Sequence, residues 1–567
     1  MPRKIFKEPA LNRYQMSFLP PCLNDVVPRD AAVRKIVDFV GNLDCSAMLR
    51  KYSGGGAPAY DPRTMLTILI LAYLEGVRSS RQIEQRCVRD IYYMFAAEMS
   101  QPNHQTICRF RRDNEKVLKE VFLETVRCCK AAGLVLMEQV AIDGTKLEAN
   151  VSSKETYSQK RVGEAIAYYE ACIDRILKEA EAQDAADERR DASRQLQLPG
   201  TAEPDKTPAK KPVQDKKAVV AKLERRVERA RAAQAQMLKS GDKTACATDL
   251  ESRVMNTKAG NRPAFNAQAA VDGAHQIIVG AAVTQDYNDT QQIAKILPAV
   301  IANTGSKPDC ISADSGYGST ETLMHLDAAK VTAYIAEKEQ QKEKAEYTYD
   351  ADRDELRKPA TEKSAEIVMV FDRPREKDGK TYRVYFNPIV RAAAKAECKK
   401  KSAAKRAAAK AAVTPATEAP VTPSGEAGAP PADNITAGAA AACASLTTSG
   451  PAAALAVSDA APMANTDEPR VKSEIWLSED PQTEMRLRNA MHAKMESAAG
   501  KEIYGLRQQI VEPVFGHMKT VLNLRRLNLR GLEGASIEFL LACTAHNLKK
   551  LARARVATRC GGTTVCA

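Results

Sequence analysis

The sequence predicts an α/β protein: a sheet with helices on its faces, preceded by a helical N-terminal domain and interrupted by two long insertions. Three observations predict it. Residues 60–130 carry helix start and stop signals in close succession. From Glu138 onward, three segments rich in apolar and β-branched residues are followed by alternating helix-like and strand-like stretches. Two regions, 155–248 and 341–495, break this alternation with charged or low-complexity sequence.

The N-terminal domain is placed at 1–135. Asp61 followed by Pro62 reads as an N-cap and first-turn proline ahead of MLTILILAYL, which Gly76 ends. Ser79 and Ser80 open RQIEQRCVRDIYYMF, and Pro102–Thr106 precedes ICRFRRDNEKVLKEVFLETVRCC. Short helices joined by tight turns fit a helix-turn-helix-like binding unit whose Arg109, Arg111 and Arg112 face a partner. An ordinary bundle with those arginines on a solvated face is the alternative.

The core begins in 136–340. EQVAID, FNAQAAVD and QIIVGAAVTQ read as three strands, with a turn near His275 between the last two. A helix-like DTQQIAKILPAVIANTG leads to the strand CISAD, the helix STETLMHLDAAK and the strand TAYIAEK. Three strands and then alternating helix and strand is the order of a ribonuclease H-like core. Its first insertion, 155–248, holds two charged helical stretches separated by a Pro-containing linker, which predicts a helical hairpin. The second, 341–495, holds a β-hairpin (EIVMVFDRP and TYRVYFN, turned near Asp378 and Gly379) and then a tract at 412–466 of Ala, Pro, Thr, Ser and Gly. That tract lacks the apolar side chains needed to offset chain entropy and is expected to be disordered. Residues 496–567 supply the C-terminal part of the core and a basic tail.

Composition bounds the partners. Among 567 residues, 84 Lys and Arg oppose 71 Asp and Glu, a formal charge of +13. Nine basic residues against two acids between Lys519 and Arg559 put more than half of that excess in the tail. Such a balance suits a phosphate-bearing partner. The longest apolar run, Met65–Leu74, is half of what a bilayer requires, and the basic N-terminus leads into no signal-like apolar stretch. A cytoplasmic protein without a membrane partner is expected. No CxxC, HxxxH or HExxH spacing occurs, which argues against a zinc site and leaves most cysteines as small buried side chains.

Three acids carry the chemistry: Asp143 in VAIDGTKLEAN, Asp314 in CISADSGYGS and Glu512 in YGLRQQIVEPVFGHMK. Asp143 and Asp314 fall at strand ends, where open α/β sheets place their sites. Three convergent carboxylates suit two Mg²⁺ ions, because hard cations take oxygen ligands and one carboxylate cannot hold both. Lys519 follows Glu512 by two helical turns and shares its face. Tyr504 and Arg507, three apart, offer a phenol and a planar guanidinium for a phosphate. Pro513 predicts that the helix begins or kinks beside Glu512.

These motifs, with YDPRTMLTILILAYLEGVRSSRQIEQ, PNHQTICRFRRDN, LRRLNLRGL and CTAHNLKKL, resemble the DDE transposases of bacterial insertion sequences, in the branch related to the IS-four and IS-five groups. The resemblance implies an enzyme that binds the terminal inverted repeats of its element, cuts the DNA there and joins the 3′ ends to a target. It implies Asp143, Asp314 and Glu512 as the ligands of two Mg²⁺ ions, with Mn²⁺ as a substitute, and Tyr504, Arg507 and Lys519 as holders of DNA phosphates. Double-stranded DNA, a dimer on that DNA and a place at the bacterial nucleoid follow from it. End reading is expected from Arg109, Arg111 and Arg112, and backbone gripping from Arg525, Arg526 and Arg530. A DNA-binding repressor or remnant derived from a transposase is the alternative, and a nuclease on the same fold is the third reading. Relatives with cysteine pairs near 380–410 are matched here by Cys398 alone.

Overall fold

The computed structural model describes residues 22–50, 59–195, 216–360, 365–377, 379–411, 474–554 and the two short strands at 559–560 and 563–564. The tract at 412–466, the linker at 196–215 and Asp378 lie outside the described residues. Chain contacts divide the protein into two compact units, one of residues up to 346 and from 483 on, the other of 347–482.

In the first unit, helices α1 (Ala32–Gly41), α2 (Pro62–Leu74), α3 (Ser80–Arg89), α4 (Ile91–Ala96), α5 (His104–Asp113) and α6 (Glu115–Ala131) precede the sheet. Asp61 accepts the amide of Arg63, with Pro62 in the first turn, so α2 starts where the sequence signals it. Its residues Met65–Tyr73 are all buried, the mark of a core helix rather than a surface one. Two long helical stretches break in the structure. Asp90 takes an extended conformation and caps the amide of Tyr92, separating α3 from α4. Asn114 leaves helical geometry and turns its side-chain amide back to the Phe110 carbonyl, separating α5 from α6.

The central sheet is mixed. β1 (Gln139–Glu148) lies between β3 (Gly260–Asp272), antiparallel to it, and β5 (Cys310–Ala313), parallel to it; β6 (Thr332–Ile335) continues parallel beyond β5. The far edge of β3 pairs with β2 (Arg253–Thr257) over its first half and with β4 (Ile278–Thr284) over its second. Antiparallel strands join through short turns, whereas the parallel steps need crossovers. Helices α9 (Gln292–Thr304) and α10 (Thr320–Ala329) supply them. Between β1 and β2, α7 (Gln159–Gln195) and α8 (Lys216–Ser240) form the expected hairpin, with Arg231 paired to Glu170 at 2.6 Å.

Helix α12 (Pro481–Glu496), α13 (Ala498–Thr520) and α14 (Gly531–Arg553) complete this unit. Helix α13 continues through Pro513, so it does not begin there as one of the two expectations had it. The carbonyl of Gln509, which an amide at 513 would have served, instead accepts the side chain of Gln276 at 2.8 Å. On α14, Asn547 pairs with both the amide and the carbonyl of Ile278 at 2.9 Å, docking the helix on β4. A partly buried chain links the last two helices: Lys549 donates to His517 Nε2 at 2.9 Å, His517 and His546 meet through Nδ1 at 3.2 Å, and His546 Nε2 donates to the Gln276 carbonyl at 2.9 Å. Burial and neighbouring cations depress both imidazoles to about 4.

The second unit is a five-stranded antiparallel sheet built on the expected hairpin. In chain order its strands are β7 (Thr348–Asp350), β8 (Glu355–Lys358), β9 (Ile367–Lys377), β10 (Lys380–Phe386) and β11 (Glu474–Leu477), and they pair in that order. Gly379 turns β9 into β10 with a positive φ of 72°. Helix α11 (Pro388–Ala411) follows β10, tied to β9 by Arg391 and Asp372 at 2.9 Å. Among the described residues Cys45, Cys87, Cys129, Cys246 and Cys543 are buried, while Cys22 and Cys398 are exposed. No described helix is long and apolar enough to cross a membrane.

Candidate functional site

Parallel pairing of β1 with β5 sets Ile142 against Ala313, so the next residues on each strand, Asp143 and Asp314, stand side by side. Neighbouring strands are about 4.8 Å apart, which puts two carboxylates within mutual reach. Asp143 accepts the amide of Gly144 and Asp314 the amide of Gly316, each at 2.8 Å. Burial, then the charges of Asp314 and Asp289, push the Asp143 carboxyl up to about 6, against the opposing pull of Arg507.

Helix α13 lays its residues along this pair. Arg507, 8% exposed, sets Nη1 3.5 Å from Asp143 Oδ2 and lies 5.8 Å from the Tyr504 ring centre. Its Nε and Nη1 have no hydrogen-bond partner, an unusual state for a buried guanidinium. Lys519 reaches the Thr145 hydroxyl on β1, two residues past Asp143. Burial and the nearby Lys258 lower its pKa, while Asp143 opposes the shift. Glu512 lies between Arg507 and Lys519 on the same continuous helix, exposed and without a hydrogen bond or ion pair. Thus Asp143, Asp314, Arg507 and Lys519 come together, whereas no side-chain hydrogen bond or ion pair joins Glu512 to them. Among the described residues no three His, Cys, Asp or Glu are grouped closely enough to hold a metal ion. The donors at hand are nonetheless all carboxylates, which suit a hard divalent cation and not zinc.

The structure adds a residue that the sequence reading missed. Asp289, in the loop after β4, accepts the side-chain amides of Asn266 at 2.6 Å and Gln268 at 2.7 Å and has Lys146 at 3.5 Å. Asn266 and Gln268 are fully buried on β3, and Tyr317 donates to Gln268 Oε1. Gly144 makes room for this network: a Cβ there would collide with the Gln268 amide and lie 3.1 Å from Asp289 Oδ1. The FNAQ segment was the available signal, since two amides two residues apart share one strand face. Asp289 itself, in the loop DYNDT, carries no local signal.

The arginines divide by exposure. Arg109 and Arg112 point outward from α5, with Arg112 3.3 Å from Asp113. Arg111 does not: it is 3% exposed and donates to the Tyr73 hydroxyl at 3.2 Å and the Arg78 carbonyl at 3.0 Å. It shares the buried stripe of Ile107, Phe110 and Asn114, at helical intervals of three and four, and so cannot face DNA as expected. Arg525, Arg526 and Arg530 are exposed on the loop after α13.

A model of a transposase domain (DUF772) matches residues 21–113, and a model of the transposase DDE domain matches residues 242–548. The second match takes in Asp314 and Glu512, whereas β1 with Asp143 precedes it. No curated protein and no solved structure gives a significant match. With more than half of its length in the DDE match and its helical N-terminus in the other, the chain belongs to the DDE transposases of insertion sequences.

Proposed function

We propose that this chain binds the terminal inverted repeats of its element, cuts the DNA there and joins the 3′ ends to a target, through a ribonuclease H-like core. The observation that carries the reading is the pair Asp143 and Asp314 on adjacent parallel strands, overlooked by the cationic groups of Arg507 and Lys519. Apart from the short edge strand β2, three antiparallel strands (β1, β3, β4) are followed by two parallel ones (β5, β6), the order expected of such a core.

In this reading Asp143, Asp314 and Glu512 hold two Mg²⁺ ions, as members of the family typically use divalent metal. Bound there, the ions would polarise the phosphodiester and favour an ionised attacking oxygen. The chain's own groups supply the rest. Two carboxylates with raised mutual repulsion favour a cation over an empty site. Arg507 has unpaired donors, one of them 3.5 Å from Asp143, and is suited to a phosphate oxygen; Lys519, whose ammonium is partly desolvated, is suited to a second. Tyr504 braces the guanidinium. Arg109 and Arg112 read base edges, and Arg525, Arg526 and Arg530 grip the backbone of double-stranded DNA, with the protein working as a dimer.

Purified protein incubated with Mg²⁺ and duplexes carrying the element's ends tests this. Wild type should nick at the terminus, and Asp143→Asn, Asp314→Asn and Glu512→Gln should each abolish cleavage while retaining specific binding. Specific binding by a wild type that never cuts would support the repressor reading instead.

A further inference from the structure

The loop from Leu522 to Arg530 presents its arginines through an alternation that the sequence LNLRRLNLR makes explicit. Leu522, Leu524 and Leu527 are buried, and Arg525, Arg526 and Arg530 are exposed. The loop adds a parallel bridge to the end of β1, pairing Arg526 with Glu148. The Leu527 amide donates to the Glu148 carbonyl at 2.8 Å, and Arg526 donates to the Val151 carbonyl at 2.7 Å. The strand that carries Asp143 therefore also carries the arginine loop.

Beneath the loop sits a carboxylate with no route to water. Glu538 of α14 is 0% exposed. Its Oε1 accepts the amides of Asn528 at 2.7 Å and Leu529 at 2.5 Å, and its Oε2 accepts Arg78 Nη1 at 2.8 Å. Arg78, 7% exposed, also donates from Nη2 to the Arg526 carbonyl, and its own carbonyl accepts Arg111. Both arginines come from the helical N-terminal region, on α5 and on the turn after α2. Gly76 lets this turn come close, since a Cβ there would strike the Val521 carbonyl.

A buried ion triad is weak ground for stability, because desolvating its charges costs several kcal/mol per ion, and apolar residues of like volume often serve as well. What apolar residues cannot supply is an acceptor for the two consecutive loop amides of Asn528 and Leu529. We propose that Glu538 is a positioning residue for DNA binding: with Arg78 it fixes the loop 522–530, so that Arg525, Arg526 and Arg530 meet the duplex backbone beside the strand of Asp143. The inference rests on the DNA-binding reading above. It joins the helical N-terminal region to the catalytic sheet through one carboxylate.

The test compares wild type with the triple variant Arg78→Met, Arg111→Leu, Glu538→Met, using a random-sequence duplex across a salt series. Each phosphate contact contributes about 0.9 to the log–log salt slope. The triple variant, folded by circular dichroism, should lose about 2 to 3 from that slope, whereas a purely structural role would leave it unchanged. A folded triple variant with the wild-type slope overturns the proposal. Should the variant not fold, amide exchange on wild type decides: Asn528 and Leu529 should be protected far beyond the exposed loop amides, and free exchange at both overturns it. Absence of duplex binding by wild type would defeat the proposed function instead, and the exchange result would still judge the loop geometry.

Discussion

Replacing Asp143 by Asn should stabilise the metal-free protein while removing its chemistry. A carboxyl raised from 3.8 to about 6 is held ionised at neutral pH at the expense of the fold, because the unfolded chain ionises more readily. Each pH unit in that interval is worth about 1.4 kcal/mol, so ionised Asp143 costs about 3 kcal/mol at pH 7. The side chain is 22% exposed, so solvent screening removes little of this. Asn resembles the protonated acid in shape and can still accept the Gly144 amide. The sign follows from the raised pKa: the wild type gains stability as pH falls through 6 toward 3.8, and the variant does not. The gap between them, about 3 kcal/mol at pH 7, should therefore close near pH 4. Chelator-treated proteins would be unfolded in urea and followed by far-UV circular dichroism, since the sole tryptophan, Trp476, reports on the other compact unit. Other titrating groups cancel in the difference between two proteins that share them. A variant less stable than wild type at pH 7, or a gap independent of pH, would refute the reasoning.

Gly144→Ala should disrupt the contact of Gln268 with Asp289 and cost about 1–3 kcal/mol, as overpacking typically does, with cleavage lost as well; a fully active, equally stable variant would count against the network. His517 and His546, both depressed to about 4, should make the protein lose stability as pH falls from 6.5 toward 4, and His546→Gln should flatten that loss in acid titrations. Substituting Arg109 and Arg112 should narrow the affinity gap between terminal-repeat and random duplexes in binding assays, while substituting Arg525, Arg526 and Arg530 should weaken both alike and lower the salt slope by about one unit per contact. Deleting residues 412–466 should leave Mg²⁺-dependent cleavage and the unfolding profile nearly unchanged, and limited proteolysis should nick there first.

Much of the architecture was written locally. Asp61 and Pro62 start α2, β-branched runs mark β1 and β4, and Gly379 turns a hairpin, because caps, periodicity and positive φ act over a few residues. Asp314 was legible for the same reason, since it directly follows β5, whereas Asp143, expected at a strand end, lies within β1, which runs on to Glu148 through its pairing with β3. Even the inward aim of Arg111 was available from its spacing to Ile107 and Phe110, although a run of arginines suggested a surface. Other features depended on partners far away in the chain. Pro513 sits inside a continuous helix, where Gln276, more than two hundred residues earlier, serves the carbonyl left free. Asp289 joins the acids only because Asn266, Gln268 and Lys146 converge on it across three segments. Glu538, an ordinary helix residue by sequence, becomes a buried acceptor that joins the nearby loop amides to Arg78, far back in the chain. The sequence by itself determined most of the elements and marked the acids beside the sheet; tertiary packing decided how far β1 extends past Asp143 and what each polar group faces, because burial obliges it to find a partner wherever the fold brings one.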